Sequence, residues 1–134
     1  MKNISHKFIR NGVRYMSNNA RASLSKLSIK LDNTYGIYDG TWKQGNGANI
    51  NSINPFSGNI NATIKTGTVN DYNNMITKMN KVKKDWMNLP NPKRGEIVRQ
   101  IGDELRKYKT HLANVITLET GKIHTESLGE VQEA

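Results

Sequence analysis

The hydrophobic pattern changes its period near residue 68, and this change most constrains the fold. Before it, Ile60, Ala62 and Ile64 alternate at a period of two, which predicts a strand with one buried face. After it, apolar residues recur at helical spacing. The first such stripe comprises Val69, Tyr72, Met75, Ile76, Met79, Val82 and Trp86. The sequence therefore predicts a few strands followed by amphipathic helices.

Local signals predict where the first two of these helices begin. Thr68 followed by Asp71 resembles a capping box, with Asp in place of Glu, at the start of the first helix. The segment LPNPKRG breaks that helix, and Asn91 before Pro92 predicts the N-cap and first residue of a second helix. Its apolar stripe comprises Ile97, Ile101, Leu105 and Tyr108.

Two further helices are predicted towards the end of the sequence. Leu112, Val115, Ile116 and Leu118 mark the third, which Gly121 would end at the C′ position. The fourth is predicted to begin near Thr125, with Glu126 and Glu130 placed well for a helix N-terminus.

Two turn signals predict the strands that precede the helices. Asp39-Gly40 is a strong hairpin signal, and Asn54-Pro55-Phe56-Ser57-Gly58 predicts a second turn. Two short hairpins cannot bury the apolar stripes of this many helices. A larger sheet is therefore expected, either in further chain or in a partner.

The net charge of +9 is concentrated in residues 1–31, which carry +7 and contain no Asp or Glu. Residues 32–134 carry only +2. The first segment is rich in Ser and basic residues, and a helix would place Lys7, Arg10 and Arg14 on one face. These properties are typical of a mitochondrial transit peptide. Arg14 and Arg21 each lie two or three residues before a small residue where a processing protease could cut. The alternative is a disordered basic arm. We expect residues 1–31 to lie outside the fold.

Several site classes are excluded or disfavoured. The absence of cysteine excludes disulfides, thiolate zinc sites and a cysteine nucleophile within these residues. No apolar run approaches the ~18 residues that a membrane span needs. The histidines His6, His111 and His124 are isolated, so no metal site is expected. The glycines of residues 45–47 lack the Lys and Ser/Thr of a phosphate loop, so a flexible turn is expected there.

Basic residues also lie along the predicted helices and could contact phosphates. They are the cluster KVKKDW and the row Arg94, Arg99, Arg106 and Lys109. Acidic residues interrupt both, and Arg99 with Asp103 forms an i, i+4 pair. A solvated helix face is favoured over a nucleic-acid interface.

The carboxylates of Glu126, Glu130 and Glu133 follow an i, i+4, i+7 spacing on the fourth predicted helix. They could compensate charge at the helix N-terminus. They could instead bind a cationic substrate group, because a carboxylate holds an ammonium through charge-assisted hydrogen bonds. The spacing alone does not decide between the two.

The run from Pro90 to Arg106, PNPKRGEIVRQIGDELR, resembles the N-terminal part of the NAD-dependent aldehyde dehydrogenase superfamily. It is most similar to the antiquitin branch, the α-aminoadipic semialdehyde dehydrogenases. The segments GIYDGTW, NPFSGN, LETGK and GEVQE occur in the family's order and spacing, so the resemblance covers about residues 35–134. It implies an α/β fold. Residues 32–134 would supply N-terminal β-hairpins and helices of a Rossmann-like NAD-binding domain that is incomplete in this chain.

The resemblance also implies a chemistry for the complete enzyme. In that family a cysteine thiolate attacks an aldehyde, hydride passes to NAD, and a glutamate-activated water releases the carboxylic acid. Those groups lie further along the family's chain, so we expect no catalytic, cofactor-binding or metal-binding residue here. The complete enzyme would take a small-molecule aldehyde, form a homo-oligomer, in particular a homotetramer, and bind neither nucleic acid nor membrane. It would reside in the mitochondrial matrix, with the cytoplasm as a second location.

Glu133 is similar to a residue with which the antiquitin branch recognises the amino-acid head of its semialdehyde. Ala134 departs from the aromatic residue expected after it. The leading hypothesis is therefore the N-terminal segment of such an enzyme, inactive by itself. The alternatives are a non-catalytic relic or interaction protein that docks on full-length dehydrogenase, and a basic nucleic-acid-binding module. A gene fragment, a pseudogene and a genuine short product all remain compatible with the sequence.

Overall fold

The computed structural model describes residues 18–33 and 35–134. In chain order the elements are α1 (Asn18–Lys26), β1 (Asp32–Asn33), β2 (Ile37–Tyr38), β3 (Trp42–Lys43), β4 (Asn49–Ile53), β5 (Ile60–Lys65), α2 (Val69–Asn88), α3 (Asn91–Thr120) and α4 (His124–Glu133). One sheet has the strand order β1-β5-β4, and β2 pairs with β3 in another. Within these residues, every helix is too short or too polar to span a bilayer.

The chain divides into two compact units. Among the described residues, the first unit contains 18–32, 51–63 and 108–134. The second unit contains 33, 35–50 and 64–107. The strands β4 and β5 and the helix α3 contribute residues to both units. Each unit is described separately below.

The core of the first unit forms where α1 meets the second half of α3. Ala20 and Leu24 of α1 are buried and pack against Val115 and Leu118. Ser23, on the same face of α1, is also buried. Its hydroxyl oxygen accepts a 2.8 Å hydrogen bond from the Asn114 amide and lies 3.2 Å from the Nδ1 atom of His111. The apolar contacts and the satisfied hydroxyl together fix α1, because a buried hydroxyl without a partner would cost free energy.

This packing involves part of the segment assigned to the leader. Residues 1–17 lie outside the described residues, whereas α1 and residues 27–31 belong to the first unit. The targeting role of residues 1–31 stays a prediction. The packed part of the chain nevertheless includes residues that the sequence pattern had placed in the leader.

The hairpin of the second unit confirms the Asp39-Gly40 turn signal. Ile37 pairs with Lys43 and Tyr38 with Trp42, in antiparallel register. Gly40 adopts a φ of +103°, which a residue with a Cβ rarely tolerates. The rings of Tyr38 and Trp42 meet edge to face with centroids 5.1 Å apart, a geometry that stabilises cross-strand pairs.

Asp39 connects this hairpin to α2. Its carboxylate lies 2.6 Å from the Nζ atoms of both Lys43 and Lys78. Hydrogen bonds from Lys43 and then Lys78 hold the pKa of Asp39 well below its usual range. The turn residue therefore also orients the hairpin within the second unit.

The capping box at the start of α2 is confirmed. The Thr68 hydroxyl accepts from the Asp71 backbone N–H at 3.2 Å, and the Asp71 carboxylate accepts from the Thr68 N–H at 2.8 Å. The Asn46 amide adds a third hydrogen bond to Asp71 at 2.8 Å. These donors, the Thr68 backbone first, lower the pKa of Asp71. The helix ends at Asn88, as the following prolines predict.

The helix α3 differs from the prediction of two separate helices. It runs without a break from Asn91 to Thr120, so the prediction of a separate third helix is wrong. The sequence contains no Pro or Gly between Gly102 and Gly121, and nothing there stops the backbone hydrogen-bond ladder. The two apolar stripes are one helix whose contacts change along its length.

The two ends of α3 can be compared with the predicted N-cap at Asn91 and the predicted C′ position at Gly121. At the start, the Pro90 carbonyl accepts from the N–H groups of Lys93 and Arg94, at 2.9 and 3.1 Å. The helix therefore begins one residue earlier than an Asn91 N-cap would give. The Asn91 side chain instead accepts from the Arg94 guanidinium. At the end, Gly121 adopts a φ of +74° and donates to the Thr117 carbonyl at 3.0 Å, which confirms its C′ position.

The strand β5 is confirmed, but its burial pattern is not the expected one. Ile60 is 42% exposed, whereas Asn61 on the opposite face is 7% exposed. The Asn61 amide donates to the Ser52 hydroxyl at 3.3 Å and to the Leu118 carbonyl at 3.4 Å. A polar side chain is therefore the buried one, because its hydrogen bonds are satisfied by β4 and α3. The turn at Asn54–Gly58 is also confirmed, with Gly58 donating to the Asn54 carbonyl at 2.8 Å.

Candidate functional site

The helix α4 carries the predicted substrate contact, and the Gly121 turn sets its starting point. A Cβ on Gly121 would lie 3.1 Å from the Cγ atom of Pro55 and would require a strained positive φ. The chain then passes through Lys122 and Ile123 into α4. Ile123 caps α4 without a side-chain hydrogen bond, so α4 depends on its packing for stability.

Buried groups on α4 hold it to the end of α3 in the first unit. Ser127 is fully buried, and its hydroxyl lies 2.8 Å from the Thr117 hydroxyl. Val131, one turn further along the same face, is also buried. The spacing of these two residues defines the packed face of α4. The remaining faces are free to carry charge.

The three carboxylates of α4 differ in their surroundings. Glu130 forms an ion pair with Lys122. This pair raises the pKa of Lys122, and the charge of Glu126 raises it further. Glu133 is exposed, and its carboxylate makes no hydrogen bond or ion pair to any residue that the structure describes. The acidic face is therefore divided. Two carboxylates compensate an internal cation, and Glu133 remains available to an external one.

A fourth carboxylate, that of Glu119, has a structural contact. The Ser52 hydroxyl of β4 donates to it. This contact lies beside the Asn61 hydrogen bonds and ties β4 to the last turn of α3. Glu119 therefore stabilises the first unit.

The histidines do not assemble a site. His111 contacts Ser23 as described, and His124 is the first residue of α4. His6 lies outside the described residues. Among the residues with described placement, no three His, Asp or Glu side chains come close enough together to hold a metal ion.

The glycine pair of residues 45–47 is packed against the chain itself. The Gly47 N–H donates to the Thr66 carbonyl at 2.8 Å, and the Thr66 N–H donates to the Ala48 carbonyl at 3.0 Å. A Cβ on Gly45 would lie 2.3 Å from the Thr66 carbonyl oxygen. The glycines permit this close approach of two backbone segments. They form a hydrogen-bonded loop in which the Gly47 N–H is already engaged.

The basic row on α3 is largely neutralised by neighbouring acids. Arg99 pairs with both Glu96 and Asp103, and Arg106 pairs with Asp103. The Arg99 hydrogen bond lowers the pKa of Glu96 to about 2. These ion pairs favour the solvated-face interpretation over contacts with nucleic acid.

Lys109 of that row contacts α4, a role that sequence reasoning missed. It is half-buried, and its Nζ atom donates to the Gln132 side chain of α4 at 2.8 Å. Gln132 directly precedes Glu133. Lys109 and Gln132 are 23 positions apart, so no helical spacing could have revealed their contact. No signal in the sequence alone indicates the contact, because it depends on α4 packing beside α3.

Comparison with known proteins identifies the family. A family model described as the aldehyde dehydrogenase family matches residues 42–134. The chain belongs to the aldehyde dehydrogenase family. The resemblance noted at PNPKRGEIVRQIGDELR is thereby confirmed.

Relatives of this dehydrogenase segment carry antiquitin-branch names. Aldehyde dehydrogenase family 7 member A1 of Pisum sativum is 39% identical over 110 residues, which are 82% of this chain and 22% of the relative. The α-aminoadipic semialdehyde dehydrogenase of Mus musculus is 40% identical over 112 residues, 84% of this chain and 20% of the relative. The branch assignment is confirmed. The chain spans about a fifth of the length of these curated relatives.

A solved structure supports the aldehyde dehydrogenase fold. Betaine aldehyde dehydrogenase from Staphylococcus aureus, in complex with NAD⁺, matches with a TM-score of 0.73 and 25% sequence identity. The match covers 86% of this chain and 23% of that protein. The α/β fold predicted from the resemblance is confirmed as part of an aldehyde dehydrogenase. The domain boundary at residue 32 stays a prediction.

Proposed function

We propose that this chain is the N-terminal segment of an NAD-dependent aldehyde dehydrogenase that oxidises α-aminoadipic semialdehyde in lysine catabolism. The supporting observation is the 40% identity to a relative named for that activity, over 84% of this chain. NAD is the proposed cofactor of the complete enzyme, and a related structure contains it. The complete enzyme would be a homotetramer in the mitochondrial matrix, with the cytoplasm as a second location.

Within that enzyme, Glu133 binds the ammonium of the substrate's amino-acid head. Three features support this role. The carboxylate is exposed, it lacks a partner among the described residues, and the neighbouring Glu130 is already engaged by Lys122. An ammonium would complete the unpaired carboxylate through a charge-assisted hydrogen bond.

The 134 residues by themselves contribute binding and scaffold but no chemistry. They contain no cysteine, so they supply no thiolate for attack on the aldehyde. The glycine loop of residues 45–47 is closed by its own backbone contacts. The isolated chain should therefore produce no NADH from any aldehyde.

The role of Glu133 can be tested in the complete enzyme by the change Glu133→Gln. We expect the KM for the amino-acid-headed semialdehyde to rise by about tenfold or more, because a hydrogen bond between charged groups contributes ~1.5–3 kcal/mol. The KM for a neutral aldehyde of similar length should change by less than about twofold. NADH formation measured with both aldehydes provides the comparison.

Glu126→Gln is the matched control, since it removes a carboxylate from the same helix. It should leave the ratio of the two KM values close to that of the unchanged enzyme. Equal KM values before and after Glu133→Gln, for the amino-acid-headed substrate, would rule out the proposed contact.

A second candidate function is a non-catalytic protein that docks on full-length dehydrogenase subunits. The observation that favours it is the exposed apolar stripe of α2, which has no buried residue. The most exposed members of the stripe are Val69, Tyr72, Met79 and Val82. This function predicts that the 134-residue chain co-purifies with the full-length enzyme and that Val82→Glu abolishes the association. A chain that remains separate from the enzyme at micromolar concentrations would exclude it.

A further inference from the structure

The hydrogen bond between Lys109 and Gln132 links the middle of α3 to the last turn of α4. The half-buried Lys109 side chain donates to Gln132 Oε1 at 2.8 Å, and Gln132 is the residue before Glu133. The ion pair of Lys122 with Glu130 is a second contact near the last turn of α4. Both lysines therefore act on the part of α4 that carries the free carboxylate.

The links to α4 follow the antiparallel course of the two helices. The contact between Thr117 and Ser127 lies near the Gly121 turn, and the contact between Lys109 and Gln132 lies further from it on both helices. Helices connected by a short turn diverge unless contacts hold their distant ends. Of these two contacts, the one made by Lys109 lies further from the turn.

We propose that Lys109 is a positioning residue for substrate recognition, which acts by fixing the last turn of α4 and thereby the direction of the Glu133 carboxylate. Lys122 supports it by holding Glu130, so that the two lysines leave Glu133 as the carboxylate presented to the substrate ammonium. This inference rests on the proposed function of Glu133. It adds a residue that lies outside the run PNPKRGEIVRQIGDELR and has no contact with substrate of its own.

The geometry explains why a lysine suits this position. Its long side chain reaches from α3 to the Gln132 amide oxygen while its aliphatic part covers the helix surface. A neutral side chain of similar length would keep the coverage and lose the hydrogen bond. The last turn of α4 would then sample more directions, and Glu133 would meet the ammonium less often in the binding geometry.

The test uses Lys109→Met in the complete enzyme, with Lys109→Arg as the conservative change. Lys109→Met should raise the KM for the amino-acid-headed semialdehyde about fivefold, the factor expected for one net hydrogen bond. The kcat and the KM for a neutral aldehyde should change by less than about twofold. Lys109→Arg should restore most of the lost affinity, because its guanidinium can still donate to Gln132.

Lys107→Met is the matched control. It removes an equal charge two residues from Lys109, from an exposed side chain that pairs with Glu104. It should leave both KM values unchanged. Gln132→Met removes the acceptor from an exposed position and should reproduce the effect of Lys109→Met without disturbing the core. In the Glu133→Gln background, Lys109→Met should add little to the KM, because the two changes act on one contact.

Hydrogen exchange of the backbone amides of Gln132 and Glu133 gives a second readout. Lys109→Met should accelerate it by about fivefold, and Lys107→Met should not. A rise in KM after Glu133→Gln without one after Lys109→Met and Gln132→Met would overturn the positioning role and leave the proposed function intact. An equal loss with both aldehydes would mean a purely structural role and would also overturn it. An unchanged KM after Glu133→Gln would overturn both proposals.

Discussion

The two units of this chain differ in where their apolar side chains lie. In the first unit, Ala20, Leu24, Ala113 and Val131 are buried, together with polar groups that are all satisfied. In the second unit, α2 has no buried residue, and Ile97, Val98 and Ile101 of α3 are exposed. The first unit therefore has a small core of its own. The second presents apolar surface that a larger protein could cover, in keeping with a segment that spans about a fifth of its relatives' length.

The units also differ in what holds their local structure. The second unit relies on ionised groups, in particular Asp39 between two lysines and Asp71 in its capping box. The first relies on buried contacts and on hydroxyl and amide hydrogen bonds around Ser23 and Ser127. The difference means that truncating side chains should damage the first unit more, whereas a change of pH should damage the second unit more.

The largest expected effect distinguishes a buried from an exposed apolar residue. Leu24 is only 7% exposed. Changing it to Ala should lower the free energy of unfolding by about 2–3 kcal/mol, because the change leaves a cavity against Val115 and Leu118. Val82, at 61% exposure on α2, should change it by less than about 0.5 kcal/mol when changed to Ala. Urea denaturation followed by circular dichroism measures both. Similar losses for the two variants would show that the second unit has a core as well.

An intermediate effect compares two glycines of the α3 region. Gly121→Ala should destabilise the chain by about 1–2 kcal/mol, because a Cβ is disfavoured at a φ of +74° and approaches Pro55. Gly95→Ala should stabilise it by about 1 kcal/mol, since Gly95 lies within the helix and a Cβ there meets no atom within 4 Å. Thermal unfolding of the two variants gives opposite shifts in Tm. A shift in the same direction for both would refute the helix end at Gly121.

The smallest expected effect is a difference in the pH at which the two units lose stability. Asp39, Asp71 and Glu96 of the second unit have lowered pKa values, with Glu96 at about 2. Their stabilisation is complete above the unfolded pKa of about 4 and is lost as the pH falls through the folded value. Lys122 of the first unit has a raised pKa, so its contribution is complete below about 10.4 and is lost only at higher pH.

Acid should therefore loosen the second unit first, between pH of about 4 and 2. Both tryptophans of the sequence, Trp42 and Trp86, belong to that unit, so their fluorescence reports on it. The intensity of the emission should change in this range, while the NMR signals of the buried Val131 methyl groups remain in place. Loss of the Val131 signals before the fluorescence change would contradict this order.

Local chemistry explains which elements the sequence could predict. The Asp39-Gly40 hairpin, the Thr68 capping box and the Gly121 helix end each depend on residues within a few positions, and each is confirmed. The predicted bounds of α3 are wrong for a related reason. A change of apolar stripe resembles a helix end, although no backbone-breaking residue stands there.

The features that could not be predicted depend on partners distant in sequence. The packing of α1 requires His111 and Asn114, which are 88 and 91 positions from Ser23. The burial of Asn61 requires Leu118, and the role of Lys109 requires Gln132. At the candidate site, the resemblance named Glu133. Its free carboxylate could be distinguished from Glu130 only after the position of Lys122 was known.

The hydrogen bond from Asn114 to Ser23 also has a consequence for folding kinetics. Closing a loop of 91 residues costs chain entropy that grows as (3/2)RT ln n, whereas the capping box of α2 closes only three. Contacts of high sequence separation form slowly, so α2 and its hairpin should order early and the core around α1 should form last. During synthesis, α1 leaves the ribosome long before its partners on α3 exist. For that interval α1 lacks the side chains that bury Ala20, Ser23 and Leu24 in the folded unit.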